Sequence, residues 1–127
     1  MEKEPHLIII THGVEDGLRQ ILFAFQYSMS LLNMGIPTSI FLTGLAARWA
    51  NKNVEHSVQG SDFQSLKGYF ERFKEHGGDL YVCRTCFGEE CNVSDQSEME
   101  EILAAGTSLV GLSVITELSL KCKVITF

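Results

Sequence analysis

The sequence contains no long hydrophobic run. Its apolar segments all fall short of the ~20 residues that a membrane-spanning helix requires. Hydrophobic residues nevertheless make up 45% of the 127 residues, which is ordinary for a globular protein and sufficient for one core. The length is also typical of a single domain. Because neither a repeat nor a linker is visible, we expect one domain over residues 1–127.

Basic residues are scarce. Lysine and arginine number 10 against 16 acidic residues, so the formal net charge is −6, and the basic residues are scattered. Proteins that bind nucleic acids or anionic membranes generally need a basic patch, so the composition argues against both classes. The first residues, MEKEPHLIII, are acidic and lack a small-residue cleavage site, unlike a signal peptide. We therefore expect a cytoplasmic protein. Thiols are usually reduced in the cytoplasm.

Nucleotide-binding motifs are also missing. The segment THGVEDG follows an apolar run but lacks the Gly-Lys-Ser/Thr ending of a P-loop. It does not match G-x-G-x-x-G either. The sequence thus gives no support for a nucleotide site, and we expect no cofactor.

Short β-branched runs alternate with amphipathic segments. Strands are predicted at 6–12, 38–44, 79–83, 107–111 and 122–127. Helices are predicted at 15–35, 61–78, 94–106 and 112–121, with a short helix or turn at 45–53 and a loop at 84–93. Strands that alternate with helices predict an α/β fold with a mostly parallel five-stranded sheet and helices on both faces.

The first predicted helix has two apolar faces. A core stripe comprises Leu18, Ile21, Leu22, Phe25, Met29 and Leu32. A second stripe comprises Phe23, Tyr27, Leu31 and Met34. A helix that is apolar on two sides is buried on two sides, so the second stripe predicts a subunit interface. A helix enclosed within one subunit is the alternative.

Residues near the helix ends predict capping. Glu15 or Asp16 can cap the start of the first helix, and Gly35 fits its end. Capping boxes are predicted at Ser61-x-x-Gln64 and Ser97-x-x-Glu100. The second helix carries an apolar stripe of Phe63, Leu66, Phe70 and Phe73.

A site is expected where the predicted strands end, because ligands of open α/β sheets bind beyond the carboxyl ends of the strands. The first strand ends in Thr11-His12-Gly13 and the second in Thr43-Gly44. The glycines would let backbone amides approach a bound anion. His12 could orient or protonate a bound group, or could be a structural histidine.

Three of the four cysteines fall in LYVCRTCFGEEC. Cys83 ends the third strand beside Arg84. A nearby cation, or amides directed at the sulfur, would lower the pKa of Cys83 and make it reactive. An inert core cysteine is the alternative. Cys86 completes a C-x-x-C and could be a resolving thiol, a second carrier, a metal ligand or incidental.

The other two cysteines are expected to have no role in the site. Cys91 follows Glu89 and Glu90, whose charges should raise its pKa. Cys122 opens the last strand and is expected in the core.

The C-x-x-C has three possible uses. A structural zinc ion needs about four ligands. Cys83, Cys86 and Cys91 could supply three and His12 a fourth, but a second C-x-x-C or an H-x-x-x-H is missing. A thioredoxin-type dithiol needs a helix N-terminus, whereas the predicted cap comes only at residues 94–97. In a persulfide carrier, one thiolate accepts and later yields a sulfane sulfur by thiol–disulfide exchange.

Four stretches, in order, resemble a known family: GLRQILFAFQYSMSLLNMGIPTSIFLTG, FKEHGGDLYVC, EEILAAGTSLVGLSVITEL and CKVITF. Together they are similar to the DsrE/DsrF-like family, in particular to DsrE/TusD-type small sulfur-relay proteins. The resemblance implies a three-layer α/β/α sandwich and a homo-oligomer, commonly a trimer or hexamer. It also implies sulfur donor and acceptor proteins as partners.

By that resemblance, Cys83 matches the cysteine that carries persulfide, whereas Cys86 and Cys91 are additions to the pattern. We therefore expect a sulfur carrier or sulfurtransferase-like protein with Cys83 as carrier and Cys86 as helper. His12, Gly13, Thr43, Gly44 and Arg84 are the expected binding residues. A C-x-x-C redox protein is the alternative, and a non-enzymatic oligomeric binding module with structural or zinc-binding cysteines is a third possibility.

Overall fold

The computed structural model describes residues 3–15, 17–54 and 61–127, with the backbone alone for 61–65. The strands of this part of the chain are β1 (His6–Ile10), β2 (Thr38–Leu42), β3 (Asp79–Cys83), β4 (Thr107–Val110) and β5 (Lys123–Thr126). Its helices are α1 (Leu18–Asn33), α2 (Ser61–Glu75), α3 (Arg84–Cys91), α4 (Gln96–Ile102), α5 (Leu112–Ser119) and a 3₁₀ helix at Gly44–Ala50.

The strands form one parallel sheet in the order β4-β3-β2-β1-β5. Parallel neighbours cannot be joined by a tight hairpin and need a crossover connection. The segments containing α1, α2 and α5 supply such connections between successive strands. The predicted α/β fold with a five-stranded parallel sheet is therefore confirmed, as is the short helix at 45–53.

One face of the sheet is packed against α1 and α2. Ile8, Ile10, Ile40 and Leu42 are completely buried on this face. The helices cover them with an aromatic cluster in which Phe25 stacks on Phe70, with ring centroids 4.9 Å apart. Phe25 also meets Phe73 edge to face at 5.7 Å. The predicted stripe of α2 is thus confirmed at Leu66, Phe70 and Phe73, while the side chain of Phe63 lies outside the described residues.

The opposite face has a thinner cover. Leu7 and Phe41, which point to this side of the sheet, are buried with Ile115 of α5. Tyr81 and Cys83 pack around them and remain only partly buried. Helices therefore lie on both faces, giving three layers, but the two faces are covered unequally.

The buried face of α1 matches the predicted core stripe in part. Ile21 and Phe25 are completely buried, and the other four members of the stripe are partly buried against the same core, namely Leu18, Leu22, Met29 and Leu32. The buried positions of the helix are Ile21, Ala24, Phe25, Ser28 and Leu31. Leu31 was predicted for the second face, but it lies three residues after Ser28 and seven after Ala24, on the same side of the helix, and so packs with them. Phe23 and Met34 do stay exposed, at 56% and 59%. Phe23 and Tyr27 contact the ring of Phe127.

The end of α1 follows the prediction. Gly35 adopts a left-handed backbone with φ of +77°, and the N–H of Ile36 donates to the carbonyl of Leu31 at 3.0 Å. This is the pattern of a glycine-terminated helix. The predicted start is wrong at Glu15, because the N-cap residue is Gly17, and Asp16 lies outside the described residues.

The predicted capping box at Ser97 is also wrong. Helix α4 begins two residues earlier than that box requires, and Asp95 is its N-cap. The Asp95 carboxylate accepts a hydrogen bond from the N–H of Ser97 at 3.4 Å. An aspartate cap competes well with serine, which explains the shift. The side chains of the box at Ser61 and Gln64 lie outside the described residues.

The predicted loop at 84–93 is wrong, because most of it forms α3. Its glycine and polar residues favour a loop locally, but tertiary packing overrides that preference. Phe87 is completely buried, and a Cβ on Gly88 would approach the Met99 Cε and the Val93 carbonyl oxygen to 2.8 Å. The helix ends at Asn92, which has a left-handed φ of 58°.

Phe73 tests this core. We expect Phe73→Ala to lower the free energy of unfolding by about 3–5 kcal/mol, because it leaves a cavity beside Phe25. Urea unfolding followed by circular dichroism measures the change. The matched control is Glu75→Ala, an exposed residue of α2, which should stay within about 0.5 kcal/mol. Equal stability of the two variants would contradict the assignment of this core.

Candidate functional site

The carboxyl ends of three adjacent strands meet at one edge of the sheet. β1 and β2 pair with Ile10 beside Leu42, and β2 and β3 pair with Leu42 beside Val82. Thr43 follows Leu42, and Cys83 follows Val82 as the last residue of β3. The two residues are therefore neighbours across the sheet. The structure thus brings together the ends of the first three strands, where the sequence predicted a site. This is the edge at which α/β proteins bind ligands.

Cys83 and Cys86 occupy the first turn of α3. Cys83 is the N-cap residue, with φ of −64° and ψ of 118°, and Cys86 is the third residue of the helix. The Thr43 hydroxyl lies 3.6 Å from the Cys86 sulfur. Both cysteines are half-buried and reduced. One hydroxyl and two thiols thus form a compact group, which we call the thiol site.

The pKa of Cys83 is raised, chiefly by burial of its thiol. The backbone N–H of Cys86 acts in the opposite direction, although within the described residues the sulfur makes no full capping hydrogen bond. The Cys86 thiol raises the pKa of Cys83 further, and the Thr43 hydroxyl lowers it. The predicted lowering is therefore wrong in its net direction, because burial outweighs the amide and the hydroxyl.

Arg84 does not act as the sequence suggested. Its guanidinium donates a 3.4 Å hydrogen bond to the carbonyl of Leu109 on β4. Among the described residues, it is not one of the groups that shift the pKa of Cys83. Arg84 follows Cys83 in the sequence, but its charge does not lie beside the Cys83 sulfur. The helix begins at Arg84, and the exposed Arg84 side chain extends toward β4.

His12 lies in the loop after β1. Its carbonyl accepts a 2.8 Å hydrogen bond from the indole N–H of Trp49, which ties this loop to the 3₁₀ helix. Its ring nitrogen Nδ1 is buried and finds no hydrogen-bond partner among the described residues. Trp49 is almost completely buried, so its indole packs in the core beside this loop.

The two predicted glycines shape the same edge differently. Gly44 has a left-handed φ of +59°, which favours glycine, and begins the 3₁₀ helix. Gly13 is buried, and a Cβ there would come within 2.9 Å of the Leu45 Cβ. A cavity of about 260 Å³ opens beside them, lined by Gly13, Val14, Glu15, Leu45, Arg48 and Glu90.

Cys91 lies at the far end of α3, about 12 Å along the axis from its start at 1.5 Å per residue. Its sulfur accepts a 3.5 Å hydrogen bond from the Asn51 amide. Burial is the main reason that its pKa is raised, and the Glu90 charge adds a small part. The predicted direction is confirmed, but its main cause is burial. Sequence spacing gave no signal for Asn51, because this contact is tertiary.

Cys122 directly precedes β5 and so lies at the amino ends of the strands, whereas the thiol site lies at their carboxyl ends. It is half-buried against the cluster of Leu7, Phe41 and Ile115. Burial raises its pKa, and the Glu4 carboxylate raises it further. Cys122 is thus packed at the margin of the core.

A shared metal site is not formed by these cysteines. Among the described residues, no three histidine, cysteine or carboxylate side chains lie close enough together to hold a metal ion. Likewise, no helix in the described ranges is long and apolar enough to cross a membrane.

The architecture and the position of this site define a class, the three-layer α/β proteins with a cysteine at the end of the third strand. The model of the DsrE/DsrF-like family matches residues 6–127, and the chain belongs to that family. The match associates the chain with sulfur relay in general terms. A search of curated proteins found no match.

Solved structures share the fold at low sequence identity. The chain is similar to the YchN protein from E. coli, with a TM-score of 0.76 and 15% identity, over 98% of this chain and 99% of YchN. MTH1491 from Methanobacterium thermoautotrophicum, of unknown function, has a TM-score of 0.62 and 12% identity, over 99% of this chain and 100% of MTH1491. BT1422 from Bacteroides thetaiotaomicron, also of unknown function, has a TM-score of 0.60 and 14% identity, over 96% of this chain and 94% of BT1422. These likenesses show the fold.

Thr43 tests the electrostatics of the thiol site. We expect Thr43→Val to raise the pKa of Cys83 further, because it removes a hydroxyl that favours the thiolate. Alkylation requires the thiolate, so the rate of alkylation rises with pH. In Thr43→Val the midpoint of this pH–rate curve should lie at higher pH than in the wild type. Iodoacetamide labelling of the Cys83 peptide across pH measures this.

Thr116→Val is the matched control, since the Thr116 hydroxyl bonds the Leu112 carbonyl on α5. Its labelling profile at Cys83 should equal that of the wild type. A midpoint in Thr43→Val that stays unchanged or moves to lower pH contradicts the role given to Thr43.

Proposed function

We propose that this protein is a sulfur carrier, or a sulfurtransferase-like protein, that holds sulfane sulfur as a persulfide on Cys83. The relevant process is intracellular sulfur relay or sulfur oxidation. The observation that carries the proposal is the position of Cys83, half-buried at the carboxyl end of β3 and at the N-terminus of α3. Membership of the DsrE/DsrF-like family supports it.

The chemistry is two thiol–disulfide exchanges. In the first, the Cys83 thiolate attacks the sulfane sulfur of a donor, an S–S bond forms, and the donor leaves with the electron pair of its broken bond. In the second, an acceptor thiolate attacks the outer sulfur and Cys83 leaves as a thiolate. Sulfur is transferred at its own oxidation level, so no external oxidant is needed.

The surroundings of Cys83 suit such a carrier. Burial raises its pKa, so the resting group is a protonated thiol that reacts little with adventitious electrophiles. The Cys86 N–H and the Thr43 hydroxyl favour the charged form when a donor arrives. The N-terminal end of α3 also favours an anionic sulfur.

The remaining predicted binding residues are proposed to frame the approach of donor and acceptor. His12, Gly13 and Gly44 border the same edge of the sheet, next to the cavity beside Arg48. Arg84 is the least supported of the set, because its side chain turns to β4. Donor and acceptor proteins are the proposed partners.

A C-x-x-C redox protein is the second candidate. The observation that favours it is α3 itself, which begins directly after Cys83 and so provides the helix N-terminus that a thioredoxin-type dithiol needs. The binding-module alternative with zinc has less support, because the described residues form no metal-holding group.

Persulfide formation tests the main proposal. Reduced protein is treated with inorganic polysulfide, alkylated at once, and digested with trypsin, which separates Cys83 from Cys86 by cleaving after Arg84. We expect one added sulfur on the Cys83 peptide, removed by dithiothreitol and abolished in Cys83→Ser. Cys122→Ser is the matched control and should load like the wild type.

An adduct-free Cys83 in both the wild type and Cys86→Ser would overturn the carrier proposal. A dithiol that oxidises without ever binding sulfur would favour the redox candidate. Stoichiometric zinc in the native protein would favour the binding module.

A homo-oligomer, commonly a trimer or hexamer in this family, remains a prediction. Two apolar surfaces support it. Phe23 and Met34 are exposed on α1, and Leu112 and Leu120, at 71% and 82% exposure, flank α5. Such exposed apolar side chains are typical of interaction surfaces when they cluster.

Sedimentation velocity tests the interface on α1. We expect the wild type to sediment as an oligomer at micromolar concentration, and Phe23→Asp to shift it toward monomer, because a buried charge opposes association. Lys67→Asp, at an exposed position of α2, is the control and should not change the assembly. Dissociation only in Leu112→Asp would move the interface to α5, and a monomeric wild type would refute the oligomer.

A further inference from the structure

We propose that Cys86 resolves the persulfide on Cys83 and releases its outer sulfur as sulfide. The Cys86 sulfur attacks the inner sulfur, which is the Cys83 Sγ, and a Cys83–Cys86 disulfide remains. The inference rests on the proposed function, because it requires the persulfide. It goes beyond that function by giving the second cysteine a role and the sulfur an exit that needs no acceptor protein.

The first argument is the geometry of the helix start. Cys83 is the N-cap of α3 and Cys86 is its third residue. Side chains at these two positions meet above the first turn, as they do in a capping box. The Cys86 thiol is near enough to raise the pKa of Cys83, so Cys86 lies beside the sulfur that it would attack. C-x-x-C at a helix N-terminus is also the arrangement of thioredoxin-type disulfides.

The second argument concerns which sulfur is attacked. Attack on the outer sulfur would expel the Cys83 thiolate, whereas attack on the inner sulfur expels hydrosulfide. Leaving ability falls as the pKa of the leaving thiol rises. Burial raises the pKa of Cys83, and hydrogen sulfide is more acidic than an alkyl thiol. Hydrosulfide is therefore the better leaving group, and the inner sulfur is the favoured target for a thiol inside the site. An acceptor from outside meets the outer sulfur first, because Cys83 is half-buried.

The third argument is the environment of the attacking thiol. The Thr43 hydroxyl lies 3.6 Å from the Cys86 sulfur, so it can hold the thiol in place and exchange a hydrogen bond with it. Cys91 has no such access, because it is at the other end of α3 and contacts Asn51. Groups oriented within one site also react at effective concentrations far above those of free thiols.

The step balances without an added oxidant. The S–S bond between Cys83 and the outer sulfur breaks, and the bond between Cys83 and Cys86 forms. The outer sulfur takes the electron pair and is reduced from sulfane to sulfide. The proton of Cys86 and the proton of the persulfide leave with it as hydrogen sulfide. The two cysteines end as a disulfide, which a dithiol reductant returns to the starting state.

A single-turnover experiment tests this. Reduced wild type is loaded briefly with inorganic polysulfide, desalted, and incubated without acceptor or reductant. We expect one sulfide per loaded chain in a methylene-blue assay, while the intact mass changes from one added sulfur to the loss of two hydrogen atoms. Tryptic mapping should then join the Cys83 peptide to the Cys86 peptide.

The variants separate this inference from the proposed function. Cys86→Ser should keep the added sulfur on Cys83 and release sulfide at least about tenfold more slowly, because an oriented intramolecular thiol has been removed. Cys91→Ser is the matched control and should release sulfide like the wild type. Sulfide release that is equal in Cys86→Ser and the wild type overturns the inference but leaves the carrier intact.

Three other results are also decisive. Migration of the added sulfur to the Cys86 peptide would overturn the inference in favour of a relay between the two cysteines. Failure of Cys83 to load in both the wild type and Cys86→Ser would overturn the proposed function itself, and the inference with it. Loading in the wild type but not in Cys86→Ser would overturn the inference alone, because Cys86 would then act in forming the persulfide.

Discussion

The site depends on the parallel pairing of β1, β2 and β3. Because these three strands run in the same direction and in register, their carboxyl ends lie side by side. Thr43 reaches the Cys86 thiol and lowers the pKa of Cys83 only because β2 ends next to β3. The crossover helices that parallel pairing requires also leave this edge of the sheet free for the loops.

Burial then sets the chemistry at this edge. The amide of Cys86 and the hydroxyl of Thr43 favour a thiolate at Cys83, but removal of the thiol from water outweighs them. The same balance holds at Cys91, where the Asn51 amide and the Arg48 charge lower the pKa without overcoming burial. Cys83 and Cys91 are consequently held as thiols, and their reactivity depends on what approaches them.

The strands, their order of appearance and the helix end at Gly35 could be predicted from the sequence, because β-branched runs and glycine act through local sterics. The position of Cys83 followed from the same pattern. Helix α3 could not be predicted, because it is stabilised by burial of Phe87 and by contacts of Gly88 with Met99 and Val93. The direction of the Arg84 side chain and the contact between Asn51 and Cys91 also depend on residues far away in the chain.

Gly88 links the thiol site to the next helix, α4. Its backbone lies against Met99 of α4 and the Val93 carbonyl, with no room for even a methyl group. A side chain at this position would push α3 away from α4 and tilt the turn that holds both sulfurs. The packing of Met99 against Gly88 therefore limits where α3 can lie, although α4 carries neither of the two thiols. Sequence change at Met99 is thus a route by which the two thiols could be repositioned while both cysteines are kept.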